Sequence, residues 1–101
     1  MEKQQTSAKT STRYRQRRPP LYDVIIHNDD FTTMEFVVMI LQTIFDKSIE
    51  EAERLMWYVH EHGEAVAGTY IYDVAHSKAD KAKSLARRNN FPLKLTVNQK
   101  F

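Results

Sequence analysis

A chain of 101 residues with 42% hydrophobic side chains has material for one domain around one core, and that composition argues against disorder throughout. It holds no cysteine, which excludes disulfides and thiolate chemistry. Its longest apolar run, Phe36 to Leu41, is far too short to span a bilayer. The net charge of +2 conceals an asymmetry, because residues 1–20 hold six of the 15 basic side chains but only one of the 13 acidic ones. The rest of the chain is therefore mildly acidic. With no signal-like apolar segment at the start, a cytoplasmic location without a membrane anchor is expected.

Residues 1–18 are polar and basic, with too little apolar surface to offset the entropy of ordering, and are expected to form a flexible arm. Arg13, Arg15, Arg17 and Arg18 have the charge to touch phosphates, although a solubilising tail explains them as well. The Ser/Thr-rich, acid-poor composition also has some likeness to an organellar transit peptide. Pro19-Pro20 marks the boundary of a core domain over residues 19–101.

Leu21–His27 alternates as a strand, with Tyr22, Val24 and Ile26 on one face. A polar turn, Asn28-Asp29-Asp30, follows. Thr32 and Glu35 have the spacing of a capping box, and Phe31 and Phe36 that of a hydrophobic staple, opening a helix from Thr33 to about Phe45 whose apolar positions cover more than one stripe. Ser48 and Glu51 form a second capping box. The helix it opens ends at His62, with Gly63 placed to close it in a left-handed conformation. Residues 65–72 are rich in strand formers, with Gly68 as a bend or bulge. Asp73 or Ser77 is expected to cap a third helix over about 74–89, with a seam of Ala75, Ala79, Ala82 and Leu85 and a basic surface. Asn89-Asn90 and Pro92 end it, and Leu93, Leu95 and Val97 alternate as a last strand. The order β-α-α-β-α-β predicts an α+β sandwich, a three-stranded antiparallel sheet with three helices packed on one face.

Three kinds of chemistry compete with plain structural roles. His60 and His62 with His27, Asp29 and Asp30 offer metal ligands on paper, but two residues apart on a helix diverge by about 200°, so no metal is expected. Asp29 and Asp30 are adjacent and point apart on an extended backbone, no nucleophile has a recognisable setting, and two glycines cannot build a phosphate loop. Neither a catalytic residue nor a cofactor is expected. The third possibility is a pocket for an amine. Asn28 and Asp29 end the first strand, Met34 and Val37 open the next helix, Met56, Val59 and His60 lie on the second, and Leu93 begins the last strand. If the helices pack side by side, these residues line one cavity. An ammonium group has only donors, so it needs acceptors: the Asn28 amide oxygen, an Asp29 oxygen and a neutral His60 qualify. Equally, Met56 and Val59 could be simple core.

The run from Val24 to Val37, which includes His27-Asn28-Asp29-Asp30-Phe31-Thr32-Thr33-Met34-Glu35-Phe36, resembles the signature of the ClpS family, the adaptors of Clp-type AAA+ proteases. The likeness continues through Met56, Val59 and His60, then Gly68, Asp73 to Ala75 and Lys78, and ends at Pro92-Leu93. It covers roughly residues 20–98. It implies a non-catalytic adaptor that recognises a free bulky N-terminal residue (Leu, Phe, Tyr or Trp) and delivers its bearer to a ClpA- or ClpC-type unfoldase. By resemblance, Asn28, Asp29 and His60 would hold the α-amino group, Asp30 and Thr32 would shape the rim, and Met34, Val37, Met56, Val59 and Leu93 would line the pocket. Met34 would act as a gate against β-branched residues. Asp73, in place of the usual Glu, and Lys78 match the surface that docks on the unfoldase's N-terminal domain. Thr33 stands where the family usually has Pro, which implies a slightly less rigid start to the helix. His76 and Ser77 also depart from the usual Glu-Thr. The competing reading is a small RNA- or ribosome-associated α+β domain that uses the basic arm, although nucleic acid is the less favoured partner.

Overall fold

The computed structural model describes residues 18–101; all but the last residue of the arm expected at 1–18 lies outside the described residues. The elements follow the expected order: β1 (Leu21–His27), α1 (Met34–Thr43), α2 (Ile49–His62), β2 (Glu64–Ile71), α3 (Tyr72–Arg88) and β3 (Lys94–Gln99). The three strands form an antiparallel sheet in the order β2-β1-β3, with β1 at its centre.

Strand alternation decides which face is covered. Val24 and Ile26 of β1 are fully buried, and Ile26 sits between Ala65 of β2 and Leu95 of β3. On the other face, Asp23 accepts a 2.6 Å hydrogen bond from Thr69, and the His27 ring pairs with Thr96 at 2.8 Å. The ladder slips beside Gly68, where Val24 faces Gly68 but Ile25 faces Val66, leaving Ala67 as the extra residue of a bulge. A side chain at 68 would collide with the outer end of the Tyr70 ring, so any larger residue there requires that ring to move.

The helices close the core over Val24 and Ile26. Ile40 and Leu41 of α1, Ala52, Met56 and Val59 of α2, and Ala75, Ala79, Ala82 and Ala86 of α3 are all buried. The alanine stripe of α3 presents no long side chain, so its backbone lies close to all three strands; Leu85 is only half-buried beside it. In α2, Ser48 caps the N-terminus by accepting from Glu51 N–H at 3.1 Å. Gly63 closes the other end at φ +94°, donating its N–H to the Val59 carbonyl.

Three helix-terminus expectations are corrected. The α1 cap is Thr33, not Thr32: the Thr33 hydroxyl accepts from Phe36 N–H at 3.2 Å, and Phe36 has no side-chain acceptor with which to complete a capping box. The Phe31–Phe36 staple does not form, since Phe31 is 76% exposed while Phe36 packs on Phe91, ring centroids 4.9 Å apart. Neither Asp73 nor Ser77 caps α3. The chain passes from β2 straight into the helix at Tyr72, with Ile71 at the cap position and no side-chain bond. Asp73 instead lies in the first turn, where a carboxylate suits the positive end of the helix dipole.

Candidate functional site

The loop after β1 is organised by one carboxylate. Asp29 Oδ1 accepts from the N–H groups of Phe31 and Thr32 at 2.8 and 2.7 Å, and its Oδ2 accepts from the Thr32 hydroxyl at 2.7 Å. This is an Asx-type turn, and it explains the shifted cap: Thr32 is held by Asp29, so the helix starts one residue later on Thr33. Burial pushes the Asp29 carboxyl up, but the hydrogen bonds from Thr32 and Phe31, helped by the charge of Arg87, outweigh burial and hold it below the usual carboxylate range. Asn28 N–H donates to the Gly63 carbonyl at 2.8 Å, which ties this loop to the end of α2.

That tie brings two sequence-distant walls together. Asn28, Asp29, Asp30, Thr32, Met34 and Val37 line one side of a cavity of about 210 Å³, and Met56, Val59, His60 and Leu93 line the rest. All ten of the pocket and rim residues expected from sequence therefore meet in one place. Val37, Met56, Val59 and Leu93 are buried and form the apolar depth, whereas Met34, 39% exposed, stands at the mouth. Asn28, Asp30 and His60 are exposed at the rim. The two alternatives for Met56 and Val59 are not exclusive: both belong to the core and to the cavity wall.

Two contributors are not among the pocket residues expected from sequence. His27 also borders the cavity, while its ring engages Thr96 and lies 3.4 Å from Glu64 on the opposite face of the sheet. Arg87, read from sequence only as part of a basic surface, donates to the carbonyls of Phe91 and Leu93 at 2.9 and 3.0 Å and so fixes the segment that carries the pocket floor. Its place in the last turn of α3, where cations meet unpaired carbonyls, was the available signal.

The site's polarity is one-sided. A carboxylate offers about four lone-pair positions; three hydrogen bonds already fall on Asp29. Its remaining capacity, the Asn28 amide oxygen and a His60 ring nitrogen stand at the rim of an apolar hole, suited to a ligand that joins donors to one apolar group. A cavity of about 210 Å³ is below the roughly 300–1,000 Å³ typical of drug-sized sites, so it suits a single side chain. His62 does not join His60: it stacks on Tyr58 with centroids 4.1 Å apart and bonds its carbonyl at 3.1 Å. Among the described residues, no group of three or more His, Cys, Asp or Glu could hold a metal ion, and no helix is long and apolar enough to cross a membrane.

Asp73 and Lys78 lie in a second, shallower depression with Thr43, Ile44, Asp46, Val74, Ser77 and Lys81. Lys78 is engaged within the fold: its ammonium donates to the Ile44 carbonyl at 2.6 Å and lies 3.5 Å from Asp46. Asp73 and Lys81 are exposed.

Fold and cavity together define a small α+β binding domain. A family model described as the ATP-dependent Clp protease adaptor protein ClpS matches residues 17–96. An adaptor of that name from Desulforapulum autotrophicum is 45% identical over 97 residues, covering 96% of this chain and 91% of its own length. One from Clostridium acetobutylicum is 46% identical over 82 residues, 81% of either chain. The solved structure of Agrobacterium tumefaciens ClpS2, bound to L-phenylalaninamide, superposes with a TM-score of 0.79 at 37% identity, covering 82% of this chain and all of that one. The chain belongs to the ClpS family and is an adaptor of the ATP-dependent Clp protease.

Proposed function

We propose that this adaptor binds proteins whose free N-terminal residue carries a bulky side chain (Leu, Phe, Tyr or Trp) and hands them to the N-terminal domain of a ClpA- or ClpC-type unfoldase in the cytoplasm, without catalysis of its own. The observation that carries this reading is the single cavity whose apolar depth adjoins a rim of hydrogen-bond acceptors. The Agrobacterium relative, solved with phenylalaninamide, supports it, since that molecule joins an amine to a benzyl group.

Asn28, Asp29 and His60 accept from the α-ammonium. Asp30 and Thr32 shape the rim, and Val37, Met56, Val59 and Leu93 enclose the side chain. Met34 at the mouth narrows the way in for β-branched residues. Burial of a Leu or Phe side chain contributes roughly 1.5–3 kcal/mol. A desolvated ammonium without acceptors costs several kcal/mol, so neither group suffices alone. Asp73 and Lys78 belong to the unfoldase-facing surface; with the Lys78 ammonium already bonded to Ile44, Asp73 and Lys81 present the more accessible charges there.

The test is a set of labelled peptides that begin with Phe, Leu, Val or N-acetyl-Phe, measured by fluorescence anisotropy. Micromolar binding of the first two and none of the others is expected, about −8 kcal/mol. Equal binding of all four would sink the proposal.

A further inference from the structure

Trp57, the only tryptophan in the chain, stands half-exposed on α2 three residues before His60. Its ring meets the His60 imidazole edge-on, centroids 5.9 Å apart and planes at 82°. It does not line the cavity that Met56, Val59 and His60 help to wall, and it is not among the buried residues of α2. A shallow groove bordered by Glu50, Glu53, Arg54, Tyr58 and Glu61 adjoins it, three carboxylates against one guanidinium. A large aromatic ring is thus held at the pocket's edge, in acidic surroundings, where the core has no use for it.

A peptide held by its first residue must place its second close by. Standard bond lengths put the α-amino nitrogen about 4–5 Å from the next Cα. An amine bonded to His60 therefore carries the second side chain to within reach of the ring that rests on His60. Resting on the binding mode proposed above, we propose that Trp57 extends the site to the second residue of the bound peptide, as an aromatic shelf that selects a basic side chain there and disfavours an acidic one. A cation over an exposed indole face gains about two- to fivefold in affinity. The three glutamates act in the same direction on a cation and against a carboxylate, through a field that salt screens.

The experiment compares otherwise identical peptides that begin Phe-Arg, Phe-Ser and Phe-Asp, together with phenylalaninamide, which has no second residue. Each is titrated against the full chain at low and high salt. Affinity should fall from Arg to Ser to Asp by about two- to fivefold per step, and the steps should narrow at high salt. Trp57→Ala should bring the Arg:Asp ratio close to one, while Trp57→Phe, which keeps an aromatic face, retains most of it. Because Trp57 is the sole indole, its emission should change more with Phe-Arg than with phenylalaninamide. Binding of phenylalaninamide without any ranking among the three peptides would overturn the shelf alone, as would a ranking that survives Trp57→Ala. Failure of phenylalaninamide and all three peptides to bind would overturn the pocket reading with it.

Discussion

The turn after β1 and the turn after α1 both settle a helix terminus with a charged side chain, yet they leave opposite surfaces behind. In the first, Asp29 gathers Phe31 and Thr32 around its own carboxylate, and acceptor capacity remains over at the rim of an apolar cavity. In the second, Lys78 reaches in from α3, donates to the Ile44 carbonyl at the end of α1, and passes 5.2 Å over the Tyr70 ring. There the charge is matched by the negative end of the helix it closes. A turn with acceptors to spare can hold a ligand made of donors. A turn whose charge is matched internally leaves recognition to its neighbours.

The sharpest way to break that contrast is to separate the two duties of Asp29. Asp29→Ala removes three hydrogen bonds, worth about 1 kcal/mol each, so a stability loss of about 2–3 kcal/mol is expected in urea melts together with loss of peptide binding. Asp29→Asn keeps an oxygen for the two backbone N–H groups and an amide for the Thr32 hydroxyl, but carries no charge. It should lose tenfold or more in affinity for a Phe-initiated peptide, about 1.4 kcal/mol or above, with stability nearly intact. Unchanged affinity in the Asn variant would show that Asp29 only shapes the loop.

Acid should reproduce the Asn substitution. The Asp29 carboxyl is held below the ordinary range in the folded chain. The stability it contributes is therefore fully present above the unfolded carboxyl's pKa, about 3.9, and is lost as pH falls through the lowered folded value. The wild-type to Asp29→Asn affinity ratio should accordingly stay constant from pH 7 to about 5 and close towards one only below about pH 4. A ratio that collapses between pH 7 and 5 would mean that the carboxyl is not held down.

At the other turn, Lys78→Met keeps the aliphatic stem over Tyr70 and removes the bond to Ile44. A cost of about 1–2 kcal/mol is expected, since the lost bond involves a charged donor that is only partly exposed. For a domain of this size each kcal/mol lowers the melting temperature by about 4–8 °C. A melt within error of wild type would show that the Ile44 carbonyl is served equally well by water.

What was legible in the sequence followed from local chemistry. Alternation gave β1 and β3, and Ser48 and Gly63 bounded α2. The places of Asn28, Asp29, Met34, Val37, Met56, Val59, His60 and Leu93 on the expected elements pointed to one cavity, whereas Asp30 and Thr32 joined its rim only through the resemblance to the ClpS family. What could not be read depended on competition between groups. Thr32, with Glu35 three residues on, has the spacing of a cap, but Asp29 captures it in the folded turn and the cap passes to Thr33. The α3 start shifted because β2 delivers the chain straight into the helix, so no side-chain cap was called for. Lys78 with Ile44 and Arg87 with Leu93 join side chains to carbonyls, and a carbonyl has no residue identity to read.

The two caps provide the finest comparison, because the bonds are nearly identical. Thr33 accepts from Phe36 N–H at 3.2 Å and Ser48 from Glu51 N–H at 3.1 Å, so Ala at either position should cost about 1 kcal/mol. Their positions differ in what they hold. Thr33 adjoins Thr32, which the Asp29 turn grips, and Met34 at the pocket mouth, so freeing it loosens one wall of the cavity. Ser48 opens α2 more than a turn before Met56 and touches no part of that wall. Thr33→Ala should therefore weaken binding of a Phe-initiated peptide about twofold, or 0.4 kcal/mol, in addition to its cost in stability, whereas Ser48→Ala should lower the melt alone. Equal effects of the two on affinity would mean that the pocket responds to overall stability and not to the hold on its own turn.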